Sequence, residues 1–330
     1  MTAQEAPLLH PGVGTVADAP LVSAPFATAI VDIGRERADV VVISADLSKY
    51  TDVAPFAHAF PSRFFQVGMA EQNMMGIAGG LAKTGFTPVA VTYAVFATRR
   101  AGEQVQMALA TGSRTSVVAA FLPGLTTPFR ATHQATDDLA IMRAVPGMTV
   151  IDPMDATELA GALRAAVSAG GPVYLRAQRG DVPQIITSPA DFQIGRCLLL
   201  RDGDDAGLIG TGLGTQWALE AAELLATRGI HAAVLHVPTL KPLDAEAVAG
   251  FAARFPAVTT VENHSVIGAL GSAVCEAVAG AGLACRVIRR GVPDRWAPGA
   301  GPLDYLRRSL GLDAESLAGT VSENQSTGGR

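Results

Sequence analysis

Short continuous hydrophobic runs alternate along the first half of the chain with longer segments of helical periodicity. The runs predict buried strands, and the periodic segments between them predict helices. The predicted strands are 40–44, 87–92, 116–121, 148–151 and 172–176, and the predicted helices are 54–60, a helix beginning at Glu71, 97–111, 134–145 and 155–169. Because strands and helices alternate, we expect a parallel sheet covered by helices on both faces.

A second series of strands and helices follows a break at 177–196, which contains Pro183, Ser188 and Pro189. The strands lie near 206–210, 231–237, 257–261 and 284–289, and the helices near 215–228, 244–254, 268–281 and 302–310. The sequence therefore predicts an α/β protein of two doubly wound domains, at 21–180 and 197–318, with a linker at 181–196. Residues 1–20, rich in Pro, Gly and Ala, predict a flexible arm, and 319–330 a disordered tail.

Composition narrows the class of protein. Hydrophobic residues make up 49% of the chain and charged residues 17%, which is typical of a well-buried globular protein. The net charge of −5 argues against nucleic acid or an anionic membrane as the main partner. Cys197, Cys275 and Cys285 are odd in number and have no C-x-x-C spacing, which suits a reduced cytoplasm and argues against a metal site in this chain.

The most informative segment surrounds Glu71. A strand-like run at 64–67 stops at Gly68, and Met74, Ile77 and Leu81 then follow at helical spacing. A glutamate at the mouth of a strand–turn–helix unit lies where α/β proteins bind ligands. Taken alone, the segment favours an ordinary first-turn acid, stabilised by the helix dipole. Three glycines in this helix cost roughly 1 kcal/mol each, which predicts that another element packs closely against it.

Two further features have competing interpretations. The Gly-rich turn at 210–214 follows a strand and opens a helix, but its spacing is not that of a dinucleotide site, so we interpret it as a tight packing turn. His133 lies in a loop at the predicted C-terminal end of a strand, where it could be a ligand-binding residue, a cap or a solvated side chain. Whether His264 faces the same cleft stays open.

Four motifs in register resemble the pyrimidine-binding domain of transketolases. They are Gly68-Met69-Ala70-Glu71-Gln72, Ser44-Ala45-Asp46-Leu47, Thr92-Tyr93-Ala94-Val95-Phe96 and Thr132-His133-Gln134. The resemblance extends from about residue 22 to about 315. It implies a transketolase C-terminal domain after the linker and a thiamine diphosphate cofactor.

The resemblance also implies roles for individual residues. Glu71 would hydrogen-bond the cofactor's pyrimidine ring and drive its proton transfers, and Phe96 would stack on that ring while Tyr93 walls the pocket. Asp46, Met69 and Arg99 fall in the same cofactor pocket. His133 would line the substrate channel as a second catalytic residue, and Arg179 and Arg130 would bind the substrate.

One motif of the resembled family is missing. A Gly-Asp-Gly segment followed roughly 25 residues later by Asn would hold a divalent cation on the diphosphate, yet no Gly-Asp-Gly occurs and the asparagines are Asn73, Asn263 and Asn324. The chain therefore resembles the C-terminal half of a split enzyme. This resemblance implies an N-terminal partner subunit that holds Mg²⁺ or Ca²⁺ and an α2β2 heterotetramer. It also implies that only the assembled enzyme is active.

The implied reaction is transfer of a two-carbon ketol group from a ketose to an aldehyde. The sequence departs from the pattern at 127–131, where an acidic turn is replaced by Thr-Pro-Phe-Arg-Ala, at Ser23, where an arginine is expected, and at Arg99, where an aromatic is common. The substrates are therefore left open. The alternatives are the β-subunit of a 2-oxo acid dehydrogenase E1 or a related synthase, and a non-catalytic scaffold subunit with this fold.

Overall fold

The computed structural model describes residues 9–112, 114–187, 192–297 and 299–327, with side chains as far as 324. The first-domain strands are β1 (Leu21–Ser23), β2 (Val40–Ser44), β3 (Phe64–Gln66), β4 (Thr87–Tyr93), β5 (Ser116–Phe121), β6 (Thr149–Ile151), β7 (Pro172–Ala177) and β8 (Asp181–Pro183). Its helices are α1 (Pro25–Glu36), α2 (Ala54–Ala59), α3 (Glu71–Lys83), α4 (Gly102–Gln104), α5 (Asp138–Ala144) and α6 (Ala156–Ala166). Two π-helical turns, Phe96–Arg100 and Val105–Leu109, flank α4, and 3₁₀ turns lie at Pro61–Arg63 and Ala110–Gly112.

The second domain has its own strands and helices. The strands are β9 (Leu198–Arg201), β10 (Ala206–Gly210), β11 (Ala232–His236), β12 (Thr239–Lys241), β13 (Ala257–Ser265) and β14 (Arg286–Val292). The helices are α7 (Leu213–Thr227), α8 (Ala245–Ala252), α9 (Leu270–Gly280), α10 (Leu303–Ser309) and α11 (Ala314–Thr327).

Two mainly parallel sheets form the two domains, which confirms the predicted fold class, and β12 crosses from the second domain to join the edge of the first sheet. The first sheet has the order β12-β6-β7-β5-β4-β2-β3, and the second β14-β13-β10-β11-β9. Only β12 and β9 run antiparallel to their neighbours among the strands of these two sheets. Every residue of β2, β4 and β5 is buried, as expected for central strands covered on both faces. No helix of the described residues is long and apolar enough to cross a membrane.

Close packing against α3 occurs at one of its three glycines. A Cβ on Gly79 would lie 2.5 Å from the carbonyl oxygen of Ala108, so the following helical segment approaches closely there. Gly76 and Gly80 face open space. The predicted packing is therefore confirmed only at Gly79.

The Gly-rich turn at 210–214 has the structural role that its spacing predicted. A Cβ on Gly214 would lie 2.2 Å from the carbonyl oxygen of Val261, in β13. This turn therefore brings the start of α7 against the second sheet, and its glycine is needed for that approach.

The predictions for the connecting segments need correction. The flexible-arm prediction is wrong for residues 9–20, because the His10 amide donates to Leu199, the Gly14 amide donates to Ile185, and the Gly12 carbonyl accepts from Thr187. The predicted linker begins with strand β8, which pairs with β1, although 188–191 lie outside the described residues. The predicted tail is helical to Thr327, and Val321 is buried. Residues 1–8 and 328–330 also lie outside the described residues.

A buried polar cluster joins the two domains. The Arg176 guanidinium donates to Asp138 at 2.5 and 2.9 Å, to Asp152 at 3.1 Å, and to the backbone oxygen of Asn263 in the second domain at 3.3 Å. The Tyr174 hydroxyl also donates to Asp138, at 2.7 Å. Burial raises the pKa of Asp138, but Arg176 outweighs it and leaves that pKa below its usual value. Burial raises the pKa of Asp152 to about 6.

Replacement of Arg176 by methionine should strongly destabilise the protein, because it leaves two buried carboxylates without their cation. We expect the free energy of unfolding in urea at pH 8 to fall by about 3–5 kcal/mol. The loss should shrink at pH 5.5, where protonation of the carboxylates removes their buried charge. Arg228→Met, which removes an exposed ion pair to Glu315, is the control and should cost at most about 1 kcal/mol. A loss under 1 kcal/mol for Arg176→Met at both pH values would contradict the structural role of Arg176.

Candidate active site

The predicted site residues gather at one edge of the first sheet. Asp46 follows β2, Tyr93 ends β4, and the loop after β5 leads to His133. Glu71 opens α3 beyond the end of β3. In parallel sheets the carboxyl ends of neighbouring strands meet at the same edge, which is the usual ligand-binding rim.

Glu71 is a buried carboxylate with one cationic partner. Its side chain is 2% exposed, and the Arg100 Nη1 donates to both of its oxygens at 2.8 Å. The Arg100 side chain is 47% exposed, and its guanidinium carbon lies 4.3 Å from the centre of the Phe96 ring. The sequence analysis did not identify Arg100. Its one signal was a second arginine directly after Arg99 in the predicted helix.

A π-helical turn explains how two consecutive arginines reach different partners. Over Phe96–Arg100 the helix widens, and the Ala101 amide donates to the Phe96 carbonyl five residues earlier. Arg99 turns towards Asp137 and Arg100 towards Glu71. The helix predicted at 97–111 is present as a series of π, α and 3₁₀ turns. Such π-turns are frequent at functional sites.

Four aromatic side chains cluster at this turn, one of which, Phe96, is its first residue. The ring centres of Tyr93 and Phe96 are 5.9 Å apart in a stacked arrangement, and His133 lies edge-on to Phe96 at 5.4 Å. Phe129 covers His133 at 4.9 Å, and the Thr132 hydroxyl lies 2.9 Å from the His133 Nδ1. The structure therefore brings the predicted Tyr93, Phe96 and His133 together and adds Phe129.

Arg99 holds the loop that carries His133. Its guanidinium donates to both Asp137 oxygens at 2.8 and 3.0 Å, and to the carbonyl oxygens of Ala131 and Gln134 at 2.9 and 3.3 Å. Trp296, from the second domain, lies 5.6 Å from the same guanidinium. These contacts make Arg99 a support for the loop, and its predicted contact with a cofactor stays a prediction.

Arg179 lies close to both Tyr93 and Tyr50. Its guanidinium is 6.0 Å from the Tyr50 ring. Burial raises the pKa of Tyr93, and the nearby positive charge of Arg179 opposes that rise. Arg179 also lines a cavity of about 270 Å³ between the domains, together with Leu122, Thr126, Gln178, Gln216 and Leu303.

The remaining predicted residues lie on exposed loops around this edge. Asp46 has a left-handed backbone, φ 62°, and its amide donates to the Gln66 side chain at 2.6 Å. Met69, between β3 and α3, is 78% exposed. Arg130 is exposed in the loop before His133. Their predicted roles stay predictions.

His264 lies in the interior rather than in the cleft. It is fully buried, its Nδ1 lies 2.8 Å from the Ser265 carbonyl oxygen, and its Nε2 accepts from the Ala140 amide at 3.4 Å. Burial lowers its pKa, which favours the neutral ring. Among the described residues, no group of three or more His, Cys, Asp or Glu side chains is placed to hold a metal ion.

The geometry suits one kind of ligand group. The buried Glu71 carboxylate and the face of Phe96 converge on a single place, which a planar group carrying nitrogen donors can fill. The Arg100 guanidinium, itself a planar N–C–N group, makes both contacts in the structure. These residues therefore fit the aminopyrimidine end of thiamine diphosphate, which has the same planar nitrogen-bearing character.

Two family models together match most of the chain. The model described as "Transketolase, pyrimidine binding domain" matches residues 19–184, and the model described as "Transketolase, C-terminal domain" matches 195–317.

Three curated relatives are similar in sequence. A transketolase family protein of Sinorhizobium fredii is 43% identical over 310 residues, which are 93% of this chain and 90% of the relative. The 6-deoxy-6-sulfo-D-fructose transketolase subunit of a Clostridium species is 39% identical over 287 residues, 86% and 88% of the two chains. A 1-deoxy-D-xylulose-5-phosphate synthase of Geobacter sulfurreducens is 38% identical over 297 residues, 89% of this chain but 46% of the enzyme.

One solved structure is similar in both fold and extent. It is described as "Split gene transketolase, inactive beta4 tetramer" and superposes with a TM-score of 0.83 at 39% sequence identity. The match covers 92% of this chain and 97% of that one.

Replacement of Arg99 by methionine should loosen the His133 loop without unfolding the domain. Four hydrogen bonds from the guanidinium would be lost, so amide hydrogen exchange should quicken over 131–136 and stay unchanged in β4 and β5. Exchange mass spectrometry would measure this, with Arg35→Met, which removes an exposed ion pair to Asp32, as the control. Unchanged exchange in the loop would show that Arg99 does not support it.

Proposed function

This chain belongs to the transketolase family, and we propose that it is the C-terminal subunit of a split, thiamine diphosphate-dependent transketolase. The proposed reaction transfers a two-carbon ketol group from a ketose to an aldehyde. The observation that carries the proposal is the buried carboxylate of Glu71 beside the face of the Phe96 ring, which together suit the cofactor's pyrimidine.

The names of two similar proteins support a separate subunit. This chain covers 88% of a relative named as a transketolase subunit and 97% of a chain described as a split gene transketolase, but about half of a relative that is a longer synthase. We propose that an N-terminal partner holds the diphosphate and Mg²⁺ or Ca²⁺, since similar proteins are named as a transketolase subunit and as a split gene transketolase. An α2β2 heterotetramer is the assembly that we expect.

Glu71 would exchange a proton with the pyrimidine ring nitrogen. This role requires a carboxylate that is shielded from water and held in one orientation. Its burial at 2% exposure and its position as the first residue of α3 supply both conditions. Phe96 would support the ring face, and Tyr93 would close the side of the pocket. The bound cofactor would supply the centre that stabilises the transferred two-carbon group as a carbanion equivalent.

His133 would hold or move a proton at a substrate oxygen. Thr132 engages its Nδ1 at 2.9 Å, and Phe96 and Phe129 fix the ring between them. We therefore assign the Nε2 side of the ring to the substrate. An oriented imidazole near neutral pH is the group most often used for such proton transfers.

The far end of the substrate would be an anion held by Arg179. A guanidinium binds two oxygens of a phosphate, sulfonate or carboxylate at once. Arg130 lies on the same rim, and Phe129 replaces a polar turn of the family pattern. A relative with 39% identity is named for a sulfonated sugar, which favours an anion other than a pentose phosphate.

A related thiamine diphosphate synthase is the second candidate. Its support is the 38% identity to a 1-deoxy-D-xylulose-5-phosphate synthase. Assays of an assembled enzyme with a ketose donor and with a 2-oxo acid donor, each with the same aldehyde, would separate the two reactions. A 2-oxo acid dehydrogenase β-subunit would also use the 2-oxo acid.

The assembled enzyme should transfer the ketol group, and Glu71→Gln should abolish most of that activity. The amide cannot exchange a proton with the ring, so we expect kcat to fall by about 10²–10⁴-fold. The measurements are turnover by this chain mixed with its proposed N-terminal partner subunit, and exchange of the cofactor's C2 proton.

Two controls sharpen this test. Circular dichroism and subunit association should be unchanged in Glu71→Gln, so that lost activity reflects chemistry. Turnover by this chain alone would contradict the split enzyme, and full activity in Glu71→Gln would favour a scaffold subunit.

Replacement of Arg179 by alanine should raise KM much more than it lowers kcat. The contact to the remote anion should be equally strong in the ground state and the transition state. Its loss therefore weakens substrate binding, seen in KM, and leaves the chemical step nearly unchanged. We expect roughly a 10- to 100-fold rise in KM, since a charged hydrogen bond contributes about 1.5–3 kcal/mol. Steady-state kinetics with anionic and neutral ketoses would measure it. If the neutral ketose shows the same rise, Arg179 does not bind the anion.

A further inference from the structure

The Arg100 guanidinium occupies the place where two predicted pyrimidine contacts converge. Its Nη1 lies 2.8 Å from each oxygen of Glu71, and its central carbon lies 4.3 Å from the centre of the Phe96 ring. The same side chain therefore satisfies the buried carboxylate and covers the aromatic face.

A guanidinium and an aminopyrimidine offer a carboxylate the same chemistry. Each has a planar N–C–N unit that can donate hydrogen bonds in its plane, and each can lie against an aromatic ring through its face. A ligand ring that takes these contacts from Glu71 and Phe96 cannot do so while Arg100 holds them, because both groups would need the same space.

The burial of the two partners differs in a way that suits exchange. Glu71 is 2% exposed, and a buried carboxylate is costly when it has no partner. Arg100 is 47% exposed, and ion pairs that reach solvent contribute little to stability. Arg100 can therefore leave at small cost, provided that another donor replaces it on Glu71.

The neighbouring arginine shows what a fixed side chain looks like on the same turn. Arg99 donates to Asp137, Ala131 and Gln134, three partners that join it to one loop. Arg100 has hydrogen bonds to Glu71 alone among the described residues. The π-helical turn thus carries one arginine that supports the loop and one that is exchangeable.

We propose that Arg100 is a placeholder for the pyrimidine ring. It is a positioning residue that keeps Glu71 oriented and Phe96 covered while no cofactor is bound, and the cofactor must displace it. The inference rests on the proposed function and adds a competition between Arg100 and the pyrimidine for Glu71 and Phe96. Only molecules in which Arg100 has left the site can bind the pyrimidine, so the apparent affinity falls in proportion to that fraction.

The test measures binding of the neutral pyrimidine 4-amino-5-hydroxymethyl-2-methylpyrimidine to the full chain. A neutral probe removes simple charge repulsion by Arg100 as an explanation. Ligand-detected NMR titration should give a Kd for Arg100→Met about two- to fivefold lower than for the unsubstituted chain, as expected from loss of a partly exposed competing ion pair. Arg35→Met should leave the Kd unchanged, and Arg100→Lys, which keeps the charge but not the planar group, should give an intermediate value.

A second measurement needs no substitution. In the unsubstituted chain, the ¹⁵N resonance of the Arg100 Nε should shift as the pyrimidine is added, in proportion to its occupancy, while that of Arg99 should not. An unchanged or higher Kd for Arg100→Met, or an Arg100 resonance that does not respond to bound pyrimidine, would overturn the placeholder. Two other outcomes would overturn the proposed function instead. In one, the pyrimidine binds neither the unsubstituted chain nor Arg100→Met. In the other, it binds Glu71→Ala as tightly as the unsubstituted chain.

Discussion

The buried ion pair between Arg176 and Asp138 ties the scaffold of the protein to its candidate site. Arg176 also bonds the backbone of β13, so it joins the first sheet to the second domain. Asp138 opens α5, and the preceding residue, Asp137, holds Arg99, which supports the loop of His133. A charge buried between the domains thereby fixes the position of a histidine at the rim. Because buried charges demand complete pairing, this chain of contacts has few alternative arrangements.

The site itself contains a second buried carboxylate, and its pairing is of another kind. Asp138 accepts hydrogen bonds from two fully buried side chains, whereas Glu71 meets a side chain that is half exposed. The two carboxylates are both buried, and they differ in the exposure of their partners. The fold supplies the burial of Glu71 by placing it at the start of α3, and the π-turn supplies a half-exposed partner, Arg100.

The sequence predicted the parts of the structure that depend on side-chain pattern. Continuous apolar runs located β2, β4, β5 and β7 because strands covered on both faces have no polar side. The site residues were located through the resemblance to transketolases, and the structure brings Glu71, Tyr93, Phe96 and His133 to one edge. Parts fixed by backbone geometry were missed. The segment at 9–20 is held by main-chain hydrogen bonds and by contacts of Val13, Val16 and Ala19 with a hydrophobic core. The π-turn is defined by its backbone bonds, such as that from Ala101 to Phe96, so neither segment leaves a periodic signal.

The most direct measurement is a structure of the chain with its N-terminal partner and thiamine diphosphate. We expect the pyrimidine ring nitrogen within hydrogen-bond distance of the Glu71 carboxylate, the ring face on Phe96, and the Arg100 guanidinium moved away from both. A cofactor bound elsewhere, with Arg100 still paired to Glu71, would contradict this expectation.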